Sequence, residues 1–325
     1  MGAIMRSDRA IITLMTDFGR ADSYVAEVKG VILSSAPEAQ IVDACHEIPF
    51  ADSMAGAWVL SQYWSFYPAG TIHVAGVGNS RRNLLAEVDG HVFLAPDNGV
   101  LAFVLRDAKT SRVSALRGEV HRPGPVSSTF HGRDVLAWAA ALLAKGDVKV
   151  SELSDPVERW ISLELPLPQA TSDGVVGSVV HVDRFGNLIT NITRNMLEEG
   201  CPSLLHISME NTGRDATPLA SEEAASGVAA LPTTKSPSPM LRQCQDAPLA
   251  ELGCTSYLIR AGSCEIVGLC TTYAEVPPGQ PVALIGSSDR LEISMAGESA
   301  AVCLEIKRGD PVRIRKMGIP NTKYK

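Results

Sequence analysis

Short uncharged apolar runs alternate with apolar residues spaced three and four apart through the first half of the chain, the rhythm of strands followed by helices. Ala10 to Thr16 is branched and uncharged, as a buried strand is, and Asp17-Phe18-Gly19 ends it in a turn. Val25, Val28 and Ile32 then share one helical face, with Asp22 available as a cap. Gln40 to Ala44 predicts a second strand, and Asp52 or Ser53 a cap for a helix over Ala55 to Trp64, stopped by Pro68-Ala69-Gly70. Further strands are predicted over Thr71 to Ala75, Leu84 to Val88 and His91 to Ala95, and Pro96-Asp97-Asn98-Gly99 has the composition of a turn. The last strong helix of this half begins near Phe130 to Asp134, buries Leu136, Ala139, Leu142 and Leu143, and ends at Gly146.

From Gly174 onward the pattern changes to short strand-like runs with few helical intervals. They cover Val175 to Asp183, Asn187 to Ile192, Cys201 to Ile207, Glu265 to Leu269, Val282 to Ile285, Leu291 to Met295 and Val302 to Ile306. The architecture expected is α/β, with an amino-terminal α/β sandwich domain over 1–165 and a smaller all-β, barrel-like domain over 172–325. Leu163 to Ala170, extended by two prolines, is the candidate crossover between them. An Ala/Pro/Ser-rich insertion near 211–250 is a poor core former, and the tail from Lys316 reads as an exposed end.

Composition narrows the classes of function. A length of 325 residues gives room for two cores without disulfides. The hydrophobic fraction is 45%, yet no apolar run approaches the roughly 20 residues that span a bilayer. A net charge of -7 offers no general attraction for a phosphate backbone, so neither a membrane nor a nucleic acid is an expected partner. Nothing in the opening residues reads as a targeting segment, and a cytoplasmic location is expected. The seven cysteines show no paired ligand spacing and are expected to be mostly buried thiols, with no metal site.

Candidate chemistry gathers at predicted strand ends, where loops of an open α/β sheet converge. Asp17 can accept hydrogen bonds from two sugar hydroxyls, Arg81 offers directed donors, and His131 works near neutral pH. Each of these alone is more simply explained as a cap or a surface pair. In the second half Asp183 can balance an ammonium group and Asn187 can pair with a purine edge, while a tight Asx-stabilised hairpin is the competing account of the same residues. The turn Gly286 to Arg290 has backbone donors suited to a carboxylate, and it too reads as a plain hairpin. Gly76-Val77-Gly78 is no dinucleotide fingerprint, because the third glycine falls at Arg81. A phosphate loop, a zinc helix and a serine-hydrolase elbow are all absent from the sequence, and His46 beside Glu47 reads as structural.

Several pieces in fixed order resemble one family across both halves. They are Thr13 to Gly19, Lys29 to Ile32, His46 to Pro49, Gly70 to Val74, Ala95 to Gly99, Ser128 to Asp134, Asp183 to Asn187 with Thr190 to Ile192, Thr272 to Val276, and Leu291 to Ile293. In these the chain resembles the S-adenosyl-L-methionine hydroxide adenosyltransferases, the adenosine-forming hydrolases related to the fluorinating and chlorinating enzymes. The resemblance implies hydrolysis of S-adenosyl-L-methionine to adenosine and L-methionine by in-line attack of water on the ribose 5′ carbon, with no cofactor besides the substrate. It implies that Asp17 grips the ribose hydroxyls, Asp183 faces the methionine amino group, Asn187 reads the adenine edge, and Ser287 and Glu292 contribute around the ligand. Arg81 and His131 match two members of the family's water-handling Asp-Arg-His set, and the family's homotrimer implies sites shared between subunits.

One departure matters. The family writes Val-Asp-Pro-Gly-Val-Gly before its arginine pair, whereas this chain runs His73-Val74-Ala75-Gly76-Val77-Gly78-Asn79-Ser80-Arg81-Arg82, a shorter loop without the aspartate. That departure supports an alternative, a catalytically impaired protein that binds S-adenosyl-L-methionine or adenosine. A halogenase using the same substrate is a further alternative, against which stands the short connection before Thr129-Phe130-His131, with no room for the extra loop of those enzymes.

Overall fold

The computed structural model describes residues 9–198 and 257–317, which divide between Leu165 and Pro166 into two compact units. The predicted run Cys201 to Ile207, the insertion near 211–250, the end of the tail and Cys201, Cys244 and Cys254 lie outside the described residues.

The first unit is an α/β sandwich built on one mixed sheet. Its strands are β1 (Ile11–Thr16), β2 (Gln40–Cys45), β3 (Ile72–Gly76), β4 (Asn83–Val88), β5 (His91–Pro96), β6 (Ser111–Leu116) and β7 (Ser154–Pro156), in the order β2-β1-β3-β5-β4-β6-β7. Strands β2, β1, β3 and β5 pair in parallel, and the remaining pairings are antiparallel. Helices α1 (Tyr24–Ser35) and α4 (Ala137–Lys145) serve one face, where Ile12, Leu14, Val74, Leu94, Val28 and Ile32 form a core. Helices α2 (Ser53–Tyr63) and α3 (Ala102–Asp107) serve the other, where Met15, Ala75, Phe93, Leu60 and Val104 meet. Successive strand residues point to opposite faces and both faces are covered, which is why β1 and β3 carry no carboxylate, lysine or arginine and why their buried Thr13, Thr16 and His73 bond to one another or to neighbouring side chains. The short α5 (Val150–Leu153) leads into β7.

The second unit is a nearly closed antiparallel sheet. Its strands β8 (Gln169–Ala170), β9 (Gly174–Val182), β10 (Leu188–Thr193), β11 (Tyr257–Ala261), β12 (Cys264–Val267), β13 (Pro281–Ile285), β14 (Arg290–Met295) and β15 (Pro311–Lys316) follow the order β12-β11-β15-β9-β10-β14-β13, with β8 paired to β9. Val179, Leu188, Ile259, Ile293 and Val312 fill its interior. Two short helices, α6 (Arg194–Glu198) and α7 (Ala300–Cys303), accompany the sheet. No helix among the described residues is long and apolar enough to cross a membrane.

Some sequence expectations are corrected. Val302 to Ile306 is not a strand: α7 occupies its start, the Ser299 side chain accepts from the Val302 amide, and Val302 is 74% exposed. A short apolar run does not by itself distinguish strand from helix, and the capping serine decides here. The tail from Lys316 is preceded by a strand, β15, whose Val312 and Ile314 are buried between exposed Arg313 and Arg315. Ser23, not Asp22, precedes α1, and its hydroxyl donates to Glu27 rather than capping a backbone amide. Of the four described cysteines none is fully buried, since Cys45, Cys264 and Cys270 are half-buried and Cys303 is exposed.

A buried imidazole pair lies in the sheet of the first unit. Thr13 Oγ1 is 2.8 Å from His73 Nδ1, His73 Nε2 is 3.2 Å from His91 Nδ1, and Phe93 stacks on the His73 ring. Burial, and then the neighbouring His91, push the His73 pKa down to about 3, and burial lowers His91 as well. Both are therefore neutral in the folded protein, whereas in the unfolded chain they protonate below about pH 6.5. The unfolded state binds more protons below that pH, so the His73 contribution is complete above it and lost as pH falls toward 3, and the lowered His91 acts in the same direction. Urea midpoints should accordingly fall between pH 7 and 4.5 with a slope that His73→Asn flattens. An equal slope in the variant would clear His73 of the effect.

Candidate active site at the carboxyl ends of the parallel strands

Because β1, β3 and β5 run parallel as neighbours, their carboxyl ends deliver three loops to one edge of the sheet. Asp17 follows β1, Val77 to Ser80 follow β3, and Asp97 to Gly99 follow β5. The loops are bonded to one another. Asp17 Oδ2 accepts from the backbone amides of Ala51 and Gly78, both at 2.9 Å. Asn98 Nδ2 donates to the Val77 carbonyl at 2.8 Å, and the Gly19 amide donates to the His46 carbonyl at 2.8 Å. Gly78 has φ 63°, and a Cβ there would meet Asn98 Nδ2 at 3.0 Å, so glycine is favoured by conformation and any side chain would crowd Asn98. His46 is structural: buried, it holds Thr16 Oγ1 at 2.8 Å on Nδ1, with Nε2 3.1 Å from Asp43.

The loops enclose a cleft of about 680 Å³ lined by Asp17, Tyr24, Phe50, Asn79, Ser127 and His131, among others. His131 is half-buried, stands immediately before a turn of π-helix over Gly132–Leu136, and has no hydrogen-bond partner for its ring among the described residues. Phe18, Tyr24 and Phe130 meet edge to face with centroids 5.4 to 6.2 Å apart, and the Arg133 guanidinium lies 4.8 Å over the Phe130 ring. Phe50, 91% exposed, stands at the rim.

The adjacent arginines part company. Arg82 Nε donates to Asp97 Oδ2 at 2.7 Å and its Nη2 donates to both Asp97 and the Arg159 carbonyl; Asp97, 3% exposed, also accepts from the Ile161 amide. Arg81 is exposed, has neither ion pair nor hydrogen bond among the described residues, and is not among the residues lining the cleft, although Asn79 is.

The remaining candidates lie in the second unit. Asp183 Oδ1 accepts from the amides of Phe185 and Asn187, and its Oδ2 accepts from Asn187 Nδ2, all at 2.9 Å. The Asx-stabilised hairpin is thus present, and Asp183 and Asn187 orient each other within it. Glu292 is buried and accepts from the Tyr273 hydroxyl at 2.6 Å and the Ser294 hydroxyl at 3.1 Å. Burial, and then the Glu292 hydrogen bond, push the Tyr273 phenol up to about 12. Ser287 is exposed in the turn between β13 and β14, directly after Gly286, whose missing Cβ leaves space for the Glu292 carboxylate. Asp17, Asn79, Ser127 and His131 therefore share one cleft, whereas Asp183, Asn187, Ser287 and Glu292 belong to the other unit. The sequence carries no signal that Tyr24, Phe50 or Asn79 lines a cleft, and for Arg133 the signal is only its place in the Phe130 to Asp134 motif. Among the described residues no group of three or more His, Cys, Asp or Glu side chains converges as a metal ion would require.

Comparison with known proteins finds matches along both units. Residues 12–154 match the SAM hydroxide adenosyltransferase N-terminal domain, and residues 177–222 and 237–313 match the corresponding C-terminal domain. A protein of Thermus thermophilus named (R)-S-adenosyl-L-methionine hydrolase is 30% identical over 321 residues, covering 93% of this chain and 98% of its own. A Salinispora arenicola protein of the same name is 37% identical over 199 residues, covering 58% of this chain and 74% of its own. The fold is similar to a crystal structure of an uncharacterized conserved protein from Thermotoga maritima, with a TM-score of 0.71 at 24% identity, over 94% of this chain and all of that one.

The contrast between the arginines is measurable. Asp97→Ala leaves Arg82 and the Ile161 amide without their shared acceptor and should cost about 3 kcal/mol, the usual effect of breaking a buried pair. Arg81→Ala should change stability by less than about 0.5 kcal/mol, as an unpaired surface position does. Urea midpoints of the two variants that coincide would refute this assignment.

Proposed function

The chain belongs to the SAM hydroxide adenosyltransferase family, and from that premise we propose that it hydrolyses S-adenosyl-L-methionine to adenosine and L-methionine. The observation that carries the reading is the cleft in which a carboxylate held by two loop amides shares its walls with a histidine whose ring makes no hydrogen bond among the described residues and with an aromatic cluster. Asp17 spends Oδ2 on the loops, so Oδ1 is left to accept from the two ribose hydroxyls. That grip fixes the sugar, and with it the direction from which its 5′ carbon is open to attack.

In the proposed step an oxygen–carbon bond forms at the 5′ carbon as the carbon–sulfur bond breaks. The electron pair returns to sulfur, the sulfonium leaves as the neutral thioether of methionine, and water loses a proton. Because the leaving group starts positive, little activation of the carbon is needed. What the protein supplies is a held water and a place for its proton. His131 receives or relays that proton, and the Phe18, Tyr24 and Phe130 rings exclude competing water. Arg81 lies outside the cleft lining but is unpaired among the described residues and two residues from Asn79, and in this scheme it turns inward on binding to steady negative charge on the oxygen. Asp183 then takes the amino group, Asn187 the adenine edge, and Ser287 and Glu292 complete the ligand's surroundings. Their hairpin bonds serve as preorganisation, since a carboxylate oxygen has lone pairs for a further donor. No cofactor or metal enters this scheme.

The stretch Val77 to Ser80 after β3 contains no acidic residue, and Glu27, which also lines the cleft, is paired with Arg133. Turnover slowed by orders of magnitude is the consequence we expect from losing an acidic partner of a catalytic histidine. The same feature favours a second reading, a protein that binds the substrate without hydrolysing it. With either reading goes a homotrimer whose sites are shared between subunits, and a cytoplasmic place of action, because a charged sulfonium does not cross a bilayer unaided.

Incubation with S-adenosyl-L-methionine and chromatography for adenosine and methionine tests the first reading. Products above background are expected; calorimetric binding without them would leave only the second. Asp17→Asn should raise KM about tenfold, the worth of a charge-assisted hydrogen bond, while His131→Ala should act on kcat with KM little changed. Light scattering should give about three times 34.6 kDa, and a monomer at working concentration would contradict the shared sites.

A further inference from the structure

Between β6 and the π-type turn the chain runs without regular secondary structure, yet it delivers Ser127, Thr129, Phe130 and His131 to the cleft. Such a strap has no ladder to hold its shape, and a side chain at its end is only as well aimed as the backbone beneath it. The His131 ring in particular makes no hydrogen bond among the described residues, so no polar partner adds to what its backbone and packing fix.

The strap is held by Asp134, 0% exposed and three residues beyond His131. Its Oδ1 accepts from Arg122 Nε at 2.6 Å and Arg133 Nε at 2.7 Å. Its Oδ2 accepts from the Ser127 amide at 2.7 Å and Arg133 Nη2 at 3.1 Å. Its carbonyl accepts from the Arg122 amide at 2.9 Å. Both ends of 122–127 are thereby tied to the turn that follows His131, and Arg133 ties that turn to α1 through Glu27 at 2.8 Å. Burial alone would raise the Asp134 pKa, but Arg133, the Ser127 amide and Arg122 outweigh it and hold the carboxyl well below the usual range. The clamp is charged throughout the working pH range.

We propose that Asp134 is a positioning residue: by fixing the 122–127 strap to the π-type turn, it sets the direction in which His131 presents its imidazole to the cleft. The inference rests on the reading of His131 as the proton-handling group. Asp134→Asn keeps the shape and one acceptor while removing the charge. It should lower kcat on the order of 10- to 100-fold with KM within about twofold, because Asp17 is untouched. In a His131→Ala background the same substitution should change kcat less than about twofold, since groups acting as a unit are not additive. A full effect retained in that background, or KM rising as much as kcat falls, overturns the proposal. If Asp134→Asn does not fold, Arg122→Gln removes one guanidinium from the strap side and should show a smaller loss with the same dependence on His131. Amide exchange over 122–131 reads the clamp without substrate and should quicken in Asp134→Asn; unchanged exchange also overturns the proposal. A wild type with no turnover sinks the hydrolase reading, and amide exchange then decides by itself whether Asp134 holds the strap.

Discussion

Everything at the cleft depends on one carboxylate oxygen accepting two backbone hydrogen bonds from different loops. Asp17 Oδ2 binds the amides of Ala51, on the loop after β2, and Gly78, on the loop after β3, and the two loops reach it from either side because β2 and β3 flank β1, at whose end Asp17 stands. Charge-assisted bonds of this kind are stronger than neutral ones, and two on one oxygen hold both loops against their own entropy. The cost is visible in the backbone, where Ala51 adopts φ 54° and Gly78 φ 63°. A non-glycine residue in that region persists when surrounding bonds over-determine it, and strain of this sort gathers at functional sites.

Around that anchor, buried carboxylates act as staples. Asp97 and Asp134 each combine guanidinium and backbone donors, so neither is left buried and unsatisfied. Beside and behind the cleft wall the charges of Arg122 and Arg133 balance those of Asp134 and Glu27. Asp17, with no cationic partner among the described residues, remains as the uncompensated charge. A ligand carrying a positive sulfur meets a cleft of the complementary sign, which favours binding the cation over its neutral products.

The second unit treats its polar groups similarly. Asp183 and Asn187 satisfy each other and the hairpin backbone, and Glu292 is oriented by Tyr273 and Ser294. Gly186, at φ 84°, has its would-be Cβ position against Ser299, the residue that caps α7, so the hairpin tip and that helix are fixed together. The structural and the ligand-binding accounts of this hairpin are compatible, because the bonds that build it also set the direction of its free lone pairs.

Local order was legible in the chain itself. The strands β1, β3, β4 and β5, the helices α1, α2 and α4, and the change to short strands after Gly174 follow from period and composition, which depend only on neighbours in sequence. Asp17 and His131 were visible as polar residues at element ends, and the family resemblance rested on motifs in fixed order. The short apolar run at Val302 and the alternating β15 escaped, because a few residues fit either period until a cap or a partner strand chooses. Folding in three dimensions alone settles which of two adjacent arginines is spent on a buried carboxylate, which loop amides close on Asp17, and what holds the strap before His131. Those choices join residues distant in sequence, and no local periodicity records a hydrogen bond between a strand end and a loop that returns to it only after the sheet has formed.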